Sequence, residues 1–513
     1  MPGTALPLPD PATCEQARLS RDARFDGLFF TAVSSTGIYC RPTCPAPPPR
    51  PHNVRYYADA AAAEAAGYRP CLRCRPELAP GAGGWRRGDD ALARALKLID
   101  EGFLAEASLA DLAGRVHLGE RQLRRLFTER LGAPPIGVHG TRRLLFAKQL
   151  LTETALPVTE VALAAGFGSL RRFNACFLQA YGMAPSALRQ RPASGQGQVL
   201  TLRLGYRPPY DVAAMLDFLR GRTLPGVERV DGMAYQRAIG DAGAPGWLRV
   251  APWPHTGGSE VHALQLQLHG CPPARLQAVV ERVRRMFDLD ADPQAIAGVL
   301  GADAGLRPLL QSRPGLRLPS AWDGFEVAVR AVVGQQVSVA AARTITSRIV
   351  QRFGGVLPPM PGAAGLERLF PTPAQLADAD LSGLGLPPAR AACVRAMAQA
   401  LVEGRVDFDR SRTLEDTVAR WTVLPGIGPW TAHYIAMRAL GHPDAFPVGD
   451  LVLQKQLACD EAAPPRLRAA RLSQRAEAWR PWRAYAVIHA WRAAALATPP
   501  AMGRPTQARR SAA

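Results

Sequence analysis

Two stretches of the chain alternate apolar and polar residues at period two, Val199-Leu200-Thr201-Leu202-Arg203-Leu204 and Val261-His262-Ala263-Leu264-Gln265-Leu266-Gln267-Leu268. Alternation of this kind predicts half-buried strands, so a small sheet unit begins near Val199. Upstream, apolar positions recur at helical spacing with almost no strand signal. Leu109-Ala110-Asp111-Leu112-Ala113-Gly114-Arg115-Val116 is one amphipathic segment, broken at His117-Leu118-Gly119 and followed by the basic segment Glu120-Arg121-Gln122-Leu123-Arg124-Arg125-Leu126-Phe127. The same plan recurs as Val158 to Ala165, a turn at Gly166-Phe167-Gly168, and Ser169-Leu170-Arg171-Arg172-Phe173-Asn174. From about Pro272 the pattern is again mostly helical. Gly/Pro-rich breaks at 76–84 and 192–197 read as linkers, and the Ala/Pro/Arg-rich tail, 499–513, reads as disordered. The pattern predicts a multidomain chain, mostly α with α+β parts. Its units are 1–80 (α+β), 88–192 (α), 197–310 (α+β) and 311–498 (α).

A length of 513 residues fits three or four domains. With 47% hydrophobic and 20% charged residues, the chain can bury real cores, which excludes wholesale disorder. Lys+Arg 62 against Asp+Glu 43 gives a net charge of +19, and this excess points to a polyanion, nucleic acid first. No apolar run reaches membrane-spanning length, and the first residues lack the basic-then-apolar layout of a signal peptide. The expectation is a cytoplasmic, nucleoid-associated protein with no membrane partner.

Of nine cysteines, four lie between 40 and 74, as Cys40-x3-Cys44 and Cys71-x2-Cys74. In a reducing compartment such pairs read as metal ligands, and four soft thiolates suit one tetrahedral Zn²⁺. A four-thiolate site is normally structural. Zn²⁺ with four thiolates also carries a net −2, which leaves each sulfur electron-rich and nucleophilic. Gly37-Ile38-Tyr39-Cys40-Arg41-Pro42-Thr43-Cys44, Asn53-Val54-Arg55-Tyr56-Tyr57 and Gly67-Tyr68-Arg69-Pro70-Cys71-Leu72-Arg73-Cys74 together resemble the N-terminal domain of the Ada adaptive-response family. The resemblance implies that Cys40 accepts a methyl group from a DNA methylphosphotriester, with Cys44, Cys71 and Cys74 as its co-ligands on zinc.

Helix, glycine turn and basic second helix, twice over, fit a pair of DNA-reading modules better than a bundle with solvated arginines. The segment through Tyr181-Gly182-Met183-Ala184-Pro185-Ser186 resembles the AraC-type regulator domain, which follows the zinc domain in Ada. Arg121, Arg125, Arg171 and Arg172 are the candidate groove or phosphate contacts. Ada proteins usually continue into an alkylguanine methyltransferase with a Pro-Cys-His-Arg motif. That motif is absent here.

In the C-terminal half, Leu424-Pro425-Gly426-Ile427-Gly428-Pro429-Trp430-Thr431-Ala432 is a Gly-x-Gly hairpin at a helix start, where backbone N–H groups can hold a phosphate. Ala445-Phe446-Pro447-Val448-Gly449-Asp450 follows about a helix-length later and brings one carboxylate. Together these resemble the helix-hairpin-helix glycosylases, and 199–494 resembles the AlkA-type 3-methyladenine DNA glycosylase II. Tyr206-Arg207-Pro208-Pro209-Tyr210-Asp211, Pro314-Gly315-Leu316-Arg317-Leu318-Pro319, Gly334-Gln335-Gln336-Val337-Ser338-Val339-Ala340 and Pro481-Trp482-Arg483-Ala484-Tyr485-Ala486 match in order.

A purine alkylated at N3 or N7 is cationic and leaves readily, so a negative charge beside the developing oxocarbenium matters more than a strong acid. By the resemblance Asp450 supplies that charge, or orients the water. Trp430, Tyr434 and Trp491 wall the pocket for a flipped base; Gly426, Ile427 and Gly428 meet the DNA backbone; Gln336 stands where the prototype carries a wedge leucine. The family's lyase members place a lysine where Trp430 stands, so a monofunctional enzyme is implied. After Cys459 no cysteine follows, which implies no C-terminal iron–sulfur cluster. The expected protein excises alkylated bases and reads promoters, with RNA polymerase as a partner. Its rival is a regulator whose glycosylase half only adds DNA affinity.

Overall fold

A computed structural model describes residues 8–81, 91–189, 199–241, 243–254, 260–457 and 464–497. The predicted tail, the linker at 192–197, residues 82–84 of the first linker and Cys459 lie outside them. In the first unit, β1 (Phe30–Val33) pairs antiparallel with β2 (Ile38–Cys40) and β3 (Val54–Tyr57), and β4 (Arg69–Pro70) runs parallel to β2. Asp10 caps the helix Pro11–Ser20 that covers this sheet, accepting from the Ala12 and Thr13 N–H groups.

The second unit is all helix. Pro135–Glu153, the longest helix, separates the pairs Leu109–Arg115 with Glu120–Leu131 and Val158–Ala164 with Leu170–Tyr181. Ser108 and Asp111 form a reciprocal capping box at the start of the first pair, which fixes where that helix begins.

A five-stranded antiparallel sheet follows, in the order β5-β9-β8-β7-β6, formed by β5 (Leu200–Gly205), β6 (Glu228–Asp231), β7 (Ala234–Asp241), β8 (Ala244–Pro252) and β9 (Ala263–His269). The two strands predicted from alternation are neighbours, paired from Leu200↔Leu268 to Gly205↔Ala263. β6, β7 and β8 carry no such signal. The first six residues of β7 are all buried, so both faces of that strand are covered and alternation is lost. The remainder is helical, from Leu276–Met286 to Arg483–Ala497.

The units share cores. Phe173, Phe177 and Tyr181 of the second helix pair belong to one cluster with Leu202, Leu248 and Leu266 of the sheet. The predicted linker at 76–84 is not loose where it is described. Pro76–Leu78 forms a 3-10 turn whose Pro76 and Leu78 are buried, and Glu77 accepts from Lys148 at 2.7 Å. Gly81 N–H then donates to Asp290 at 2.7 Å. A Gly/Pro composition marks a chain that must turn. It does not by itself mark a free one.

Candidate functional site

The parallel pairing Ile38↔Arg69 and Tyr39↔Pro70 brings the ends of β2 and β4 side by side, and those ends carry Cys40 and Cys71. Each pair's second cysteine returns after a short turn. The four Sγ atoms all lie within 4.8 Å of one another. A tetrahedral ion with sulfurs at about 2.3 Å needs sulfurs about 3.8 Å apart, so the donor set fits Zn²⁺ in number, type and spacing. Cys71 and Cys74 are buried, whereas Cys40 and Cys44 are half-buried, so the outward half of the cluster includes Cys40. Arg41 backs the cluster: its N–H donates to Cys74 Sγ at 3.3 Å and its Nη1 to the Cys74 carbonyl at 3.1 Å. Its Nε is held by Asp26 at 2.8 Å. Lys148, from the longest helix, reaches the Cys71 carbonyl at 3.1 Å, so the cluster is braced from the second, all-helical unit.

The two second helices of the pairs, Glu120–Leu131 and Leu170–Tyr181, have the same length and the same buried positions: Leu123, Phe127 and Leu131 against Phe173, Phe177 and Tyr181. Spacing of four puts these on one stripe. The opposite face is free of the core, and Arg121, Arg125, Arg171 and Arg172 all stand on it, exposed. Arg125 lies 3.7 Å from Glu129 on its own helix. The second turn is fixed from below by Arg143, which donates to the Ala165 carbonyl at 2.7 Å and lies 3.7 Å over the Phe167 ring.

The third constellation surrounds Asp450. It precedes helix Leu451–Leu457, and its Oδ1 accepts from the Val452 and Leu453 N–H groups at 2.9 Å each. Two indoles complete its shell: Trp430 Nε1 reaches Oδ2 at 3.1 Å and Trp491 Nε1 reaches Oδ1 at 3.4 Å. Trp430 and Tyr434, one turn apart on Pro429–Ala439, stack at 5.2 Å and 17°. Trp491 meets Tyr434 at 6.0 Å. Sequence positions far apart thus converge on one cavity of 540 Å³. Its lining also includes Arg222, Trp322, Arg330 and Arg438, none of them singled out by sequence reasoning. No local motif marks them: Arg222 and Trp322 come from loops, Arg330 from another helix, and Arg438 from the far end of the helix that carries Trp430.

Burial pushes the Tyr434 phenol up, but the guanidinium groups of Arg438, Arg222 and Arg330 outweigh it and hold the phenol below its ordinary range. Glu326 and Glu228 also line the cavity and are taken up by Arg237 and Arg330, with Arg330–Glu228 at 2.7 Å.

The hairpin stands beside this cavity. Gly426 adopts φ +84° and Gly428 caps helix Pro429–Ala439; both are exposed. Ile427 has a buried side chain, and its N–H donates to the Leu424 carbonyl at 3.1 Å, so it frames the hairpin. Gln336 is exposed at φ +57°, on the turn between Gly324–Val333 and Val339–Phe353. Its neighbour Gln335 ties that turn to the hairpin through the Gly426 carbonyl at 3.0 Å and Thr431 Oγ1 at 3.2 Å.

Family comparisons agree with this anatomy. The metal binding domain of Ada matches residues 13–77, a helix-turn-helix domain 112–191, the AlkA N-terminal domain 201–323, and the HhH-GPD superfamily of base excision DNA repair proteins 329–481. Over 484 residues the chain is 40% identical to a probable bifunctional transcriptional activator/DNA repair enzyme AlkA of Mycobacterium tuberculosis, covering 93% of this chain and 95% of that one. The chain belongs to that family of bifunctional activator/repair proteins. Within it, the two halves are similar to separate proteins elsewhere. The C-terminal half is 35% identical over 292 residues to DNA-3-methyladenine glycosylase 2 of Escherichia coli, covering 56% of this chain and 95% of that one. An N-terminal stretch of 120 residues is 39% identical to the bifunctional activator/repair enzyme Ada of the same organism, covering 23% of this chain and 32% of that one. The protein is therefore a fusion of Ada-like regulator domains with an AlkA-like glycosylase. Among the described residues, no helix is long and apolar enough to cross a membrane.

Proposed function

We propose that this protein excises alkylated purines, of the 3-methyladenine and 7-methylguanine type, from duplex DNA. In the same reading its Cys40 takes a methyl group from DNA methylphosphotriesters, and its helix-turn-helix units read promoters and engage RNA polymerase. The observation that carries the glycosylase reading is Asp450, buried at the mouth of an aromatic cavity beside the Gly426–Gly428 hairpin. A flipped cationic base lies between electron-rich ring faces, which favour it over a neutral one. As the glycosidic bond breaks, positive charge develops on the sugar and the Asp450 carboxylate stabilises it. Water then adds to C1′. Trp430 occupies the position at which lyase relatives carry an amine, so the product is an intact abasic strand.

At the other end, Cys40, Cys44, Cys71 and Cys74 hold one Zn²⁺, which keeps the sulfurs as thiolates. The Cys40 sulfur attacks the methyl carbon of the triester; the carbon–oxygen bond breaks and its electron pair stays on the phosphate. Cys40 thereby becomes a neutral thioether, and one negative charge beside the DNA backbone is lost. Because phosphate electrostatics dominate DNA affinity, that loss tightens promoter binding by roughly tenfold, less at high salt. Arg121, Arg125, Arg171 and Arg172 make the contacts that benefit, and Gln336 fills the gap left by the flipped base.

Base release from alkylated duplex by the parent protein and by Asp450→Asn tests the first half. The variant is expected to lose at least two orders of magnitude in single-turnover rate while its fold survives, because Asn Oδ1 still accepts from Val452 and Leu453. Equal rates of release would remove the role of Asp450, and no release by the parent would leave the regulator-only reading standing. Mass spectrometry after incubation with methylated DNA tests the second half, with 14 Da expected on the peptide that contains Cys40 as one added CH₂ unit, roughly. Methyl transfer to any other cysteine would overturn the assignment.

A further inference from the structure

The floor of the base pocket is basic, which a site built only for cationic bases does not call for. Arg222, just beyond helix Val212–Arg220, and Arg438, on Pro429–Ala439, both line the cavity. Arg438 is held by the Pro319 carbonyl at 2.5 Å through its Nε, and by Phe218, whose ring lies 4.5 Å from its guanidinium. Arg222 packs 3.7 Å over the same Phe218 ring and donates to the Phe218 carbonyl at 3.1 Å. Neither forms a salt bridge among the described residues. The nearby carboxylates, Glu228 and Glu326, are engaged by Arg237 and Arg330.

Both guanidinium groups instead converge on Tyr434. Arg438 Nη1 donates to its hydroxyl oxygen at 3.2 Å, and the Arg222 guanidinium, which lines the same cavity, is a second cation acting on the phenol. A phenol oxygen that accepts a bond from a guanidinium keeps its own proton for another partner. The ring of Tyr434 is part of the base pocket, so the partner available there is the base.

Resting on the glycosylase reading above, we propose that the Tyr434 hydroxyl is a further catalytic group: it donates a hydrogen bond to the departing base and stabilises the negative charge that develops when that base is neutral, with Arg222 and Arg438 as positioning residues. The distinction between substrate classes is one of charge. A base methylated at N3 or N7 enters as a cation and leaves as a neutral molecule, so it gains little from a donor, and the guanidinium groups oppose its entry. A neutral base, such as an oxopurine, leaves with the electron pair of the broken glycosidic bond. Its charge spreads over ring nitrogen and carbonyl oxygen, where a polarised O–H is most effective. Water supplies the balance: its hydroxyl ends on C1′ and its proton, through solvent, on the base. The sign of the local charge thus widens the lesion range toward neutral bases.

The charged groups around the phenol are Arg438 on its own helix, Arg222, Arg330 on Gly324–Val333, and Asp450, with Glu228 and Glu326 lining the same cavity but paired to Arg237 and Arg330. The cations prevail there, so the donor ionises at lower pH than an ordinary tyrosine, and losing one cation moves that ionisation upward.

Single-turnover excision of hypoxanthine and of 7-methylguanine from otherwise identical duplexes, by full-length protein, tests the assignment. Tyr434→Phe is expected to slow hypoxanthine release at least tenfold more than 7-methylguanine release. Parent activity on hypoxanthine should fall at high pH, and Arg222→Met should carry that basic limb to higher pH. The 7-methylguanine rate reports whether each variant still folds. Equal losses on both substrates, or an unmoved limb, would overturn the role of Tyr434. A parent active on 7-methylguanine alone would do the same and leave the glycosylase reading intact, whereas a parent inactive on both would sink that reading itself.

Discussion

Trp430 does two jobs with one side chain. Its face stacks on Tyr434 at 5.2 Å, and its Nε1 edge donates to Asp450 at 3.1 Å. The two functions separate in Trp430→Phe, which keeps a stacking face and removes the donor. A hydrogen bond to a charged group contributes about 1.5–3 kcal/mol, so base release should slow roughly 10- to 100-fold if that bond holds Asp450 in register during the reaction. Affinity for damaged duplex should change much less, and a titration beside the single-turnover assay reads both. An unchanged rate would mean that the Val452 and Leu453 N–H groups alone orient the carboxylate. Trp430 and Asp450 were legible in the sequence because a Gly-x-Gly hairpin and a downstream aspartate mark their neighbourhood. Arg222 and Trp322 were not, because they reach the cavity from helices or loops that carry no motif. Within the hairpin pattern of three residues in a row, sequence does not show which one points inward to hold the turn; here it is Ile427.

Elements follow the same logic. The hairpin depends on Gly426, which combines φ +84° with a position where an added Cβ would lie 2.9 Å from Cys393 Sγ. Both objections are real, since left-handed backbone costs a non-glycine residue about 1–2 kcal/mol and the thiol is buried. Gly426→Ala should therefore shift the hairpin, and with it Gln335 and the turn that carries Gln336. The expected result is weaker binding to every duplex, damaged or not, with a small loss of thermal stability. A variant that lost only damage recognition would show that the hairpin reads the lesion and does not hold the backbone. Strands show where pattern reading stops. β5 and β9 each keep one face to solvent or to a thin layer and alternate, whereas β7 is covered on both faces and does not. Periodicity reports asymmetry of burial, so an element buried all round is silent. The paired helices were legible for the converse reason, since each presents a single apolar stripe and an exposed basic face.

At the scale of the molecule, the halves are joined by buried polar groups as well as by shared cores. Arg207, fully buried, donates to the carbonyl of Asp26 at 2.9 Å, of Asp290 at 2.8 Å and of Pro80 at 3.3 Å, and also to that of Gly81. It links the zinc unit, the connecting segment and the glycosylase half, and Asp26 in turn grips Arg41 behind the zinc cysteines. Arg410–Glu101 at 2.6 Å and Arg115–Asp409 at 2.8 Å join the helix-turn-helix unit to the C-terminal half. No sequence motif foretells such contacts, because each partner is an ordinary charged residue until the fold brings it across the seam.

Between these joints lies a 230 Å³ cavity bordered by the zinc unit, by helix Ala91–Asp100 and by Glu281 of Leu276–Met286. Burial pushes the Glu281 carboxyl up to about 7; Arg284 and Arg142 pull it back, while Asp290 and Glu101 add to the rise. A carboxyl raised in the folded state binds its proton more tightly there than in the unfolded chain, so the folded state gains from protonation. Below the unfolded carboxylate range, near pH 4.5, both states are protonated and Glu281 carries no charge penalty. As pH rises toward 7 the unfolded chain ionises first, and stability is lost across that window. Above about 7 the charged carboxylate sits in the seam and the penalty is complete. Glu281→Gln removes the titration while keeping the shape. Its melting temperature should match that of the parent near pH 4.5 and exceed it progressively up to pH 8. A gap that stays constant with pH, or one that favours the parent at pH 8, would show that the arginines around Glu281 hold it as a carboxylate and that the charge helps to close the seam.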